Sequence, residues 1–545
     1  MSKVAQYLQE HLSGEVLHTP AIRKYFSTDG GVFTVTPSLV VYPRNEGDVR
    51  KTARFTWQLA ERGRIIPITA RGMGTDQGSA AVGSGVMMVF PAHMNRILEY
   101  DGKTGDVVIE PGILYGKLQQ TLHTHGRFLP PYPSSMEYST VGGAIANNAS
   151  GEKTFKYGCT RDFVKGLRVV LANGEVIETR RLSKRELSKK MGLTTFEGEL
   201  YRALDGLIEE NKQIIKDMHL NVSKNSAGYD IADVKRKDGS FDLTPLIVGS
   251  QGTLAIVSEA TIATAPYNPS TTLIAAFFED LEVAQQAIDQ ISKLPESPSA
   301  MELVDENLLK FLDEHNPNQL KGIVSKPFHK MIVLIEFDNA NARTQKRMAK
   351  KATKILDKLT VTYKVETEEH EKEELWKIRH SAAAVISHSE GNLKALPIIE
   401  DGIVPDGKMN EYIKNVYDMF EKYNLKVAMW GHAGNANLHM QPFLDLSQVG
   451  DRQKVFKIID EYYSMVISMG GSTSGEHSDG RLRAPYLSKL YGEAVYTLFQ
   501  KTKLIFDPYG IMNPGVKIDV TIDDIKPLLR HEYSMEHLAD HLPRS

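Results

Sequence analysis

The sequence predicts an α+β protein of two main domains, and three of its features carry that prediction. Its 545 residues exceed what one hydrophobic core serves, so two or three domains of ordinary size are expected. Between Pro37 and about Pro266, short β-type runs alternate with glycine-rich loops. Beyond Tyr267-Asn268-Pro269 the texture changes to strand–helix units, which predicts a sheet with helices on one side.

Residues 1–36 read as a polar helical segment, since MSKVAQYLQEHLSG contains no apolar run. The first domain, 37–266, offers strands at LVVYP (39–43), RIIPIT (64–69), GVMMVF (85–90), DVVIEPG (106–112) and LRVVLANGEVIET (167–179). The last reads as a hairpin in which Asn173-Gly174 supplies the two positive-φ residues of a type I′ turn. A Pro/Asn/Ser cluster at 266–271 marks the linker. In the second domain, 271–518, TLIAAFFED (272–280) and MIVLIEFD (331–338) each precede a helix. The second of these helices, TQKRMAKKATKILDKL, is basic on its outer face. From about Lys454 the chain reads as mostly helical, and a polar tail occupies 519–545.

Bulk properties narrow the function. With 41% hydrophobic and 24% charged residues the balance is that of a soluble globular enzyme. A net charge of -3 provides no field for nucleic acid or an anionic membrane surface. The single cysteine, Cys159, excludes disulfides within the chain and a cysteine-ligated iron–sulfur cluster. The longest apolar stretches, Gly85–Phe90 and Pro245–Val248, are too short to cross a bilayer. A cytoplasmic protein without a transmembrane segment is expected, with peripheral attachment to a membrane left open.

The densest local signal is the loop from Ile68 to Ser79, with glycines at 72, 74 and 78. Glycine at this density lets backbone N–H groups close on an anion, although a flexible surface turn has the same composition. A Rossmann reading fails, because Gln77 stands where the third glycine belongs and a strand follows instead of a helix. A P-loop fails for want of Gly-Lys-Ser/Thr. NAD is therefore disfavoured. VIEPGILYGKLQQTL (108–122), PPYPSSMEYSTVGGAIANNASG (130–151) and PLIVGSQGTLAIVSEATI (245–262) add small-residue turns suited to wrapping a ligand.

In the second domain, Trp430-Gly431-His432-Ala433-Gly434-Asn435-Ala436-Asn437-Leu438-His439 is followed by Ser474-Gly475-Glu476-His477. Two histidines and a carboxylate suit a catalytic zinc or similar divalent ion. H-x6-H is not a diagnostic interval, however, and spacing alone favours histidines that merely hydrogen-bond their neighbours.

Taken together, the segments of 37–266 resemble the FAD domain of the vanillyl-alcohol-oxidase type, also called the para-cresol methylhydroxylase (PCMH) type. The resemblance implies that Arg71, Gly72, Gly74, Thr75, Asp76, Gly78, Ser79, Thr140, Gly142, Gly143 and Asn148 line the flavin and its diphosphate. Pro111, Gly112, Gly252 and Ile256 look like the family's supporting turns beside the cofactor, and Asn513 is implied as a further cofactor-binding residue. Relatives with covalent flavin often carry histidine near the position of Asp76, so non-covalent FAD is expected. GHxGxxNLH, SGEHxxGxxR, Tyr491-Gly492, Phe506-Asp507-Pro508 and Asn513-Pro514-Gly515 resemble the C-terminal domain of FAD-linked 2-hydroxy-acid dehydrogenases. That group includes D-lactate and D-2-hydroxyglutarate dehydrogenases and the flavin subunit of glycolate oxidase.

What this implies is a PCMH-type FAD-binding domain, a ferredoxin-like α+β substrate (cap) domain and a C-terminal helical segment. It also implies a divalent metal, zinc foremost, on His432, His439 and Glu476, with His477 as general base. Arg379, within Trp376-Lys377-Ile378-Arg379, and Lys394 would hold the substrate carboxylate. On residues alone Arg379 reads instead as a surface salt bridge to Glu373 or Glu374. The implied reaction oxidises a D-2-hydroxy acid to the 2-oxo acid by hydride transfer to flavin N5. Electrons would pass to a quinone, a cytochrome, a flavoprotein, a separate iron–sulfur subunit or oxygen, and a homodimer is one assembly considered. Two rivals share parts of this pattern. One is alkylglycerone-phosphate synthase, whose run of adjacent histidines is missing here; the other is a flavin-bearing electron-transfer subunit. Two departures stand out: Gly434-Asn435-Ala436-Asn437 where relatives read GDGN, and Gly249-Ser250-Gln251-Gly252-Thr253 where they read GSEGT.

Overall fold

The computed structural model describes residues 3–315, 320, 323–324, 326–387 and 392–534, with the backbone alone at 315 and 381–387. Residues 535–545 of the expected tail lie outside the described residues.

The first domain, joined by strand Glu15–Leu17 of the N-terminal segment, carries three sheets, the smallest pairing Arg127–Phe128 with Ala265–Pro266. In the four-stranded sheet, Glu15–Leu17 pairs antiparallel with Leu39–Tyr42, and Leu39–Tyr42, Val86–Val89 and Ile68–Arg71 run parallel. Parallel pairing needs a crossover, supplied by helix Glu46–Ala60. Asn45 caps it by accepting from Asp48 N, and acidic Glu46 and Asp48 in its first turn suit the helix dipole. The five-stranded sheet is antiparallel, in the order Ile97–Tyr100, Val107–Ile109, Ile256–Ile262, Val164–Val170, Val176–Thr179. Ile256–Ile262 buries alternate residues, as a strand with one wet face should. The expected hairpin forms at 164–179, but not through a type I′ turn. Only Gly174 has positive φ (83°), and its N–H donates to Leu171 O. That is a type I turn closed by a left-handed glycine, so Asn173 keeps an ordinary conformation.

The second domain is built on a seven-stranded antiparallel sheet. Its order is Thr362–Glu366, Thr272–Phe278, Met331–Phe337, Ala300–Asp305, Val427–His432, Asn437–Leu444, Lys394–Ala395. Helices cover both faces rather than the single face expected. Ile274, Ala276 and Phe278 pack with Ile288, Met348, Val416 and Ile459 from helices on one side. Leu273 and Ala275 pack with Leu308, Leu375 and Ile378 from helices on the other. The reason is in the strands: TLIAAFF and MIVLIEF are buried at every position and do not alternate. Each such large aliphatic side chain contributes about 1.5–3 kcal/mol on burial.

The tail is less polar than expected. Val520, Ile525, Leu529 and Tyr533 are buried in the same core as Val32 and Phe33 of the N-terminal segment. Among the described residues, no helix is long and apolar enough to cross a membrane.

Candidate active site

A cavity of about 900 Å³ lies between the two domains, near the upper end of the roughly 300–1,000 Å³ usual for small-molecule sites. One wall comes from the glycine loops. Arg71, Gly72, Gly74, Thr75, Asp76, Pro111, Thr140, Gly142, Gly143, Gly252 and Ile256 all line it. A Cβ on Gly72 would lie 2.3 Å from Thr140 Oγ1, and one on Gly142 would lie 2.5 Å from Pro111 O. The segments therefore touch where a glycine hydrogen fits and a larger side chain does not. Gly142 N donates to Pro111 O, and Thr140 Oγ1 accepts from Gly143 N. Asp76 accepts from Ala80 N and Asn147 Nδ2, which fixes the loop from within. These features fit a cradle for an extended anionic cofactor. Arg71 adds a buried cation whose Nε has no hydrogen-bond partner among the described residues.

Gly78, Ser79, Gly112, Asn148 and Asn513 are not among the lining residues. They lock the loops from behind. Gly78 O accepts from Arg481 N, and Ser79 Oγ donates to Asp29 Oδ1. Gly112 N donates to Met94 O, and Asn148 ends helix Val141–Asn147 in the left-handed region. Asn513 accepts from Thr69 Oγ1 and donates to Ala80 O and Gln251 O, tying three segments together.

The opposite wall carries the charged residues. Strands Val427–His432 and Asn437–Leu444 pair with His432 opposite Asn437 and Trp430 opposite His439. The seven-residue spacing thus becomes a diagonal pair on one face, with ring centroids 5.3 Å apart. Glu476 and His477 arrive from a loop held by Asp401, whose carboxylate accepts from both of their N–H groups. Three imidazoles then converge on one oxygen. Glu476 Oε1 lies 3.0 Å from His432 Nε2, 2.9 Å from His439 Nε2 and 3.6 Å from His477 Nε2. Its Oε2 is taken by Lys224 Nζ and Ser150 Oγ, both at 2.7 Å.

Two carboxylates that the sequence reading did not single out orient these rings. Glu302 Oε1 meets His432 Nδ1 at 2.7 Å while its Oε2 accepts from Arg379 Nε at 2.8 Å. Glu400 meets His477 Nδ1 at 2.7 Å and His439 Nδ1 at 3.3 Å, and also pairs with Arg483. An ionised carboxylate only accepts, so each Nδ1 carries a proton and each Nε2 faces Glu476. Such a centre is stable only with protons or a cation between the nitrogens and the oxygen. The pKa directions agree. Burial works against the charge on His432, but Glu302 and Glu476 outweigh it and hold the ring above its ordinary value. Burial also opposes charge on His477, yet Glu400 and Asp401 push it up to about 10. The ligand atoms of His432, His439 and Glu476 lie within 4.8 Å of one another, a buried His/His/Glu set suited to zinc or a similar ion.

Arg379 is buried, lines the cavity and pairs with Glu302, not with Glu373 or Glu374. Lys394 is on the short edge strand opposite Leu444 and is not among the cavity-lining residues. Glu302 and Glu400 each had a readable signal: an acid inside an apolar run, AMELVD and LPIIEDG, must find a partner if the run is buried. Lys224 and Ser150 had none. The two departures also have physical consequences. Gln251 Oε1 accepts from Gly480 N while its Nε2 donates to Asn147 Oδ1, a dual role open to an amide. Ala436 sits at φ 51°, the left-handed region in which glycine costs least.

Residues 37–180 match the FAD binding domain family, and residues 268–516 match the family of FAD linked oxidases, C-terminal domain. The chain is 30% identical over 484 residues to glycolate oxidase subunit GlcD of Bacillus subtilis, covering 88% of each chain. It is 29% identical over 523 residues to D-2-hydroxyglutarate dehydrogenase of Escherichia coli, covering 93% of this chain and 50% of that one. The chain thus spans about half the length of the D-2-hydroxyglutarate dehydrogenases it matches. In fold it is similar to p-cresol methylhydroxylase, with a TM-score of 0.68 at 14% identity over 96% of this chain and 97% of that one. With a PCMH-type fold, a FAD-binding domain and an oxidase C-terminal domain in sequence, the chain belongs to the FAD-linked oxidase family.

Proposed function

We propose that this protein is a FAD-dependent dehydrogenase that oxidises a D-2-hydroxy acid, of the D-2-hydroxyglutarate, D-lactate or glycolate type, to the 2-oxo acid. The observation that carries the reading is the convergence of three imidazoles on Glu476 in the cavity that the glycine loops also line. Arg379 binds the substrate carboxylate through the guanidinium edge that Glu302 leaves over. His432, His439 and Glu476 hold a divalent cation, zinc foremost, which when bound would acidify the 2-hydroxyl. His477 Nε2 takes the hydroxyl proton, its Nδ1 being held by Glu400. A cation bound on the neighbouring ligands would oppose positive charge on His477 and so favour its neutral, proton-accepting form. FAD, held non-covalently by the glycine loops, supplies the acceptor for the hydride leaving C2.

These 545 residues hold one cysteine, too few to ligate a cluster, so the electrons pass to a group outside them. A quinone, a cytochrome, a flavoprotein or a separate iron–sulfur subunit fills that role. The test is anaerobic bleaching of the bound flavin by a panel of D- and L-2-hydroxy acids. Rapid bleaching by one D-acid is expected. Failure of every acid in the panel overturns the reading.

A further inference from the structure

The glycine loop 72–79 is not held by its own domain alone. Residues 29–34 lie against it, and two glycines make that approach possible. A Cβ on Gly30 would lie 2.7 Å from Thr75 O, and one on Gly31 would lie 2.0 Å from Ser79 Oγ. Gly30 N donates to Gly74 O at 2.9 Å. Asp29, fully buried, gathers the contact: its carboxylate accepts from Gly31 N, Ser79 Oγ and Ala81 N. Phe33 N donates to Ser79 Oγ from the same side.

The other side of residues 29–34 is covered by the end of the chain. Thr34 N donates to Leu528 O, and Arg530 N donates to Val32 O. The Arg530 guanidinium donates to Gly31 O at 3.1 Å, and the Tyr533 hydroxyl donates to Gly30 O at 2.8 Å. Leu529 and Tyr533 are buried with Val32 and Phe33 in the core of the second domain. The N-terminal segment is therefore clamped between the cap's core and the loop of the first domain.

We propose that residues 526–533 form a strap that positions the glycine loop for FAD, acting through residues 29–34. Arg530 and Tyr533 are its positioning residues, since each places a hydrogen bond on the carbonyl of a glycine that meets the loop. The proposal rests on the reading that residues 72–79 hold FAD.

The test uses the full chain with Arg530→Met and Tyr533→Phe combined, which keeps the buried volume and removes both donors. FAD titration of the apoprotein, followed by flavin fluorescence, is expected to show about ten-fold weaker binding. Amide hydrogen exchange in the apoprotein is expected to show faster exchange in loop 72–79. Val416→Ala, in the same core but on helix Met409–Lys422, should lower the melting temperature and leave both readouts at the wild-type level. Wild-type exchange of the loop in the double variant overturns the strap, as does an equal weakening of FAD by Val416→Ala. A wild-type chain that takes no FAD defeats the cofactor reading; the exchange comparison still decides whether the strap orders the loop.

Discussion

The two walls of the cavity are made by opposite means. Along its glycine loops the first-domain wall is backbone: at Gly72, Gly74, Gly142 and Gly143 an added Cβ would meet Thr140 Oγ1, the Arg71 guanidinium or Pro111 O. The cap wall is side chain: three imidazoles and three carboxylates held by Arg379, Arg483 and, from the first domain, Lys224, nearly all buried and each satisfied by another. A backbone wall tolerates change until something is added to it. A charged wall fails when anything is taken away, because the remaining partners are left buried and uncompensated.

The cap wall should show the largest effects. Glu476→Gln removes the proposed metal ligand and, with it, the anion at the centre of the three rings. A loss of about 10³-fold in kcat/KM is expected, together with loss of bound metal by elemental analysis. Near-wild-type turnover with no metal would break the contrast between the walls at its strongest point. Next, Arg379→Met should lower kcat/KM about 100-fold through KM, the value of two charge-assisted hydrogen bonds. Lys394→Met should stay within about two-fold, because Lys394 is not among the residues lining the cavity. Equal losses in steady-state kinetics would mean that the edge strand moves to the substrate.

The backbone wall should respond to addition. Gly142→Ala places a carbon 2.5 Å from Pro111 O, and backbone must shift. A cost of about 1–3 kcal/mol is expected, read as weaker FAD binding with metal content unchanged. The smallest effect is a gain. Ala436→Gly relieves a left-handed alanine between the two histidine strands and should raise stability by up to about 1 kcal/mol in denaturant melts.

The same contrast explains what the sequence disclosed. Gly72, Gly74, Thr140, Gly142 and Gly143 sit in contiguous motifs, so the cofactor wall was legible segment by segment. His432 and His439 were ambiguous by spacing, and only their hairpin makes them neighbours. Glu302 and Glu400 come from two further segments: an acid inside an apolar run signals that a buried partner is needed, but nothing in the sequence says which partner. Helices on both faces of the large sheet were readable in TLIAAFF, where alternation fails, yet the strand–helix rhythm pointed to one face. The docked tail was missed because Val520, Ile525, Leu529 and Tyr533 are spaced too sparsely to show a period.

The central claim is that one cavity holds FAD and a divalent cation on His432, His439 and Glu476 for the same substrate. Stopped-flow bleaching of the flavin by the reactive D-2-hydroxy acid, before chelation, after chelation and after restoring zinc, tests it most directly. The account predicts rapid bleaching, its near-abolition with FAD still bound, and recovery with the metal. Equal bleaching rates in all three samples, with the chelated protein shown to be metal-free, would contradict it.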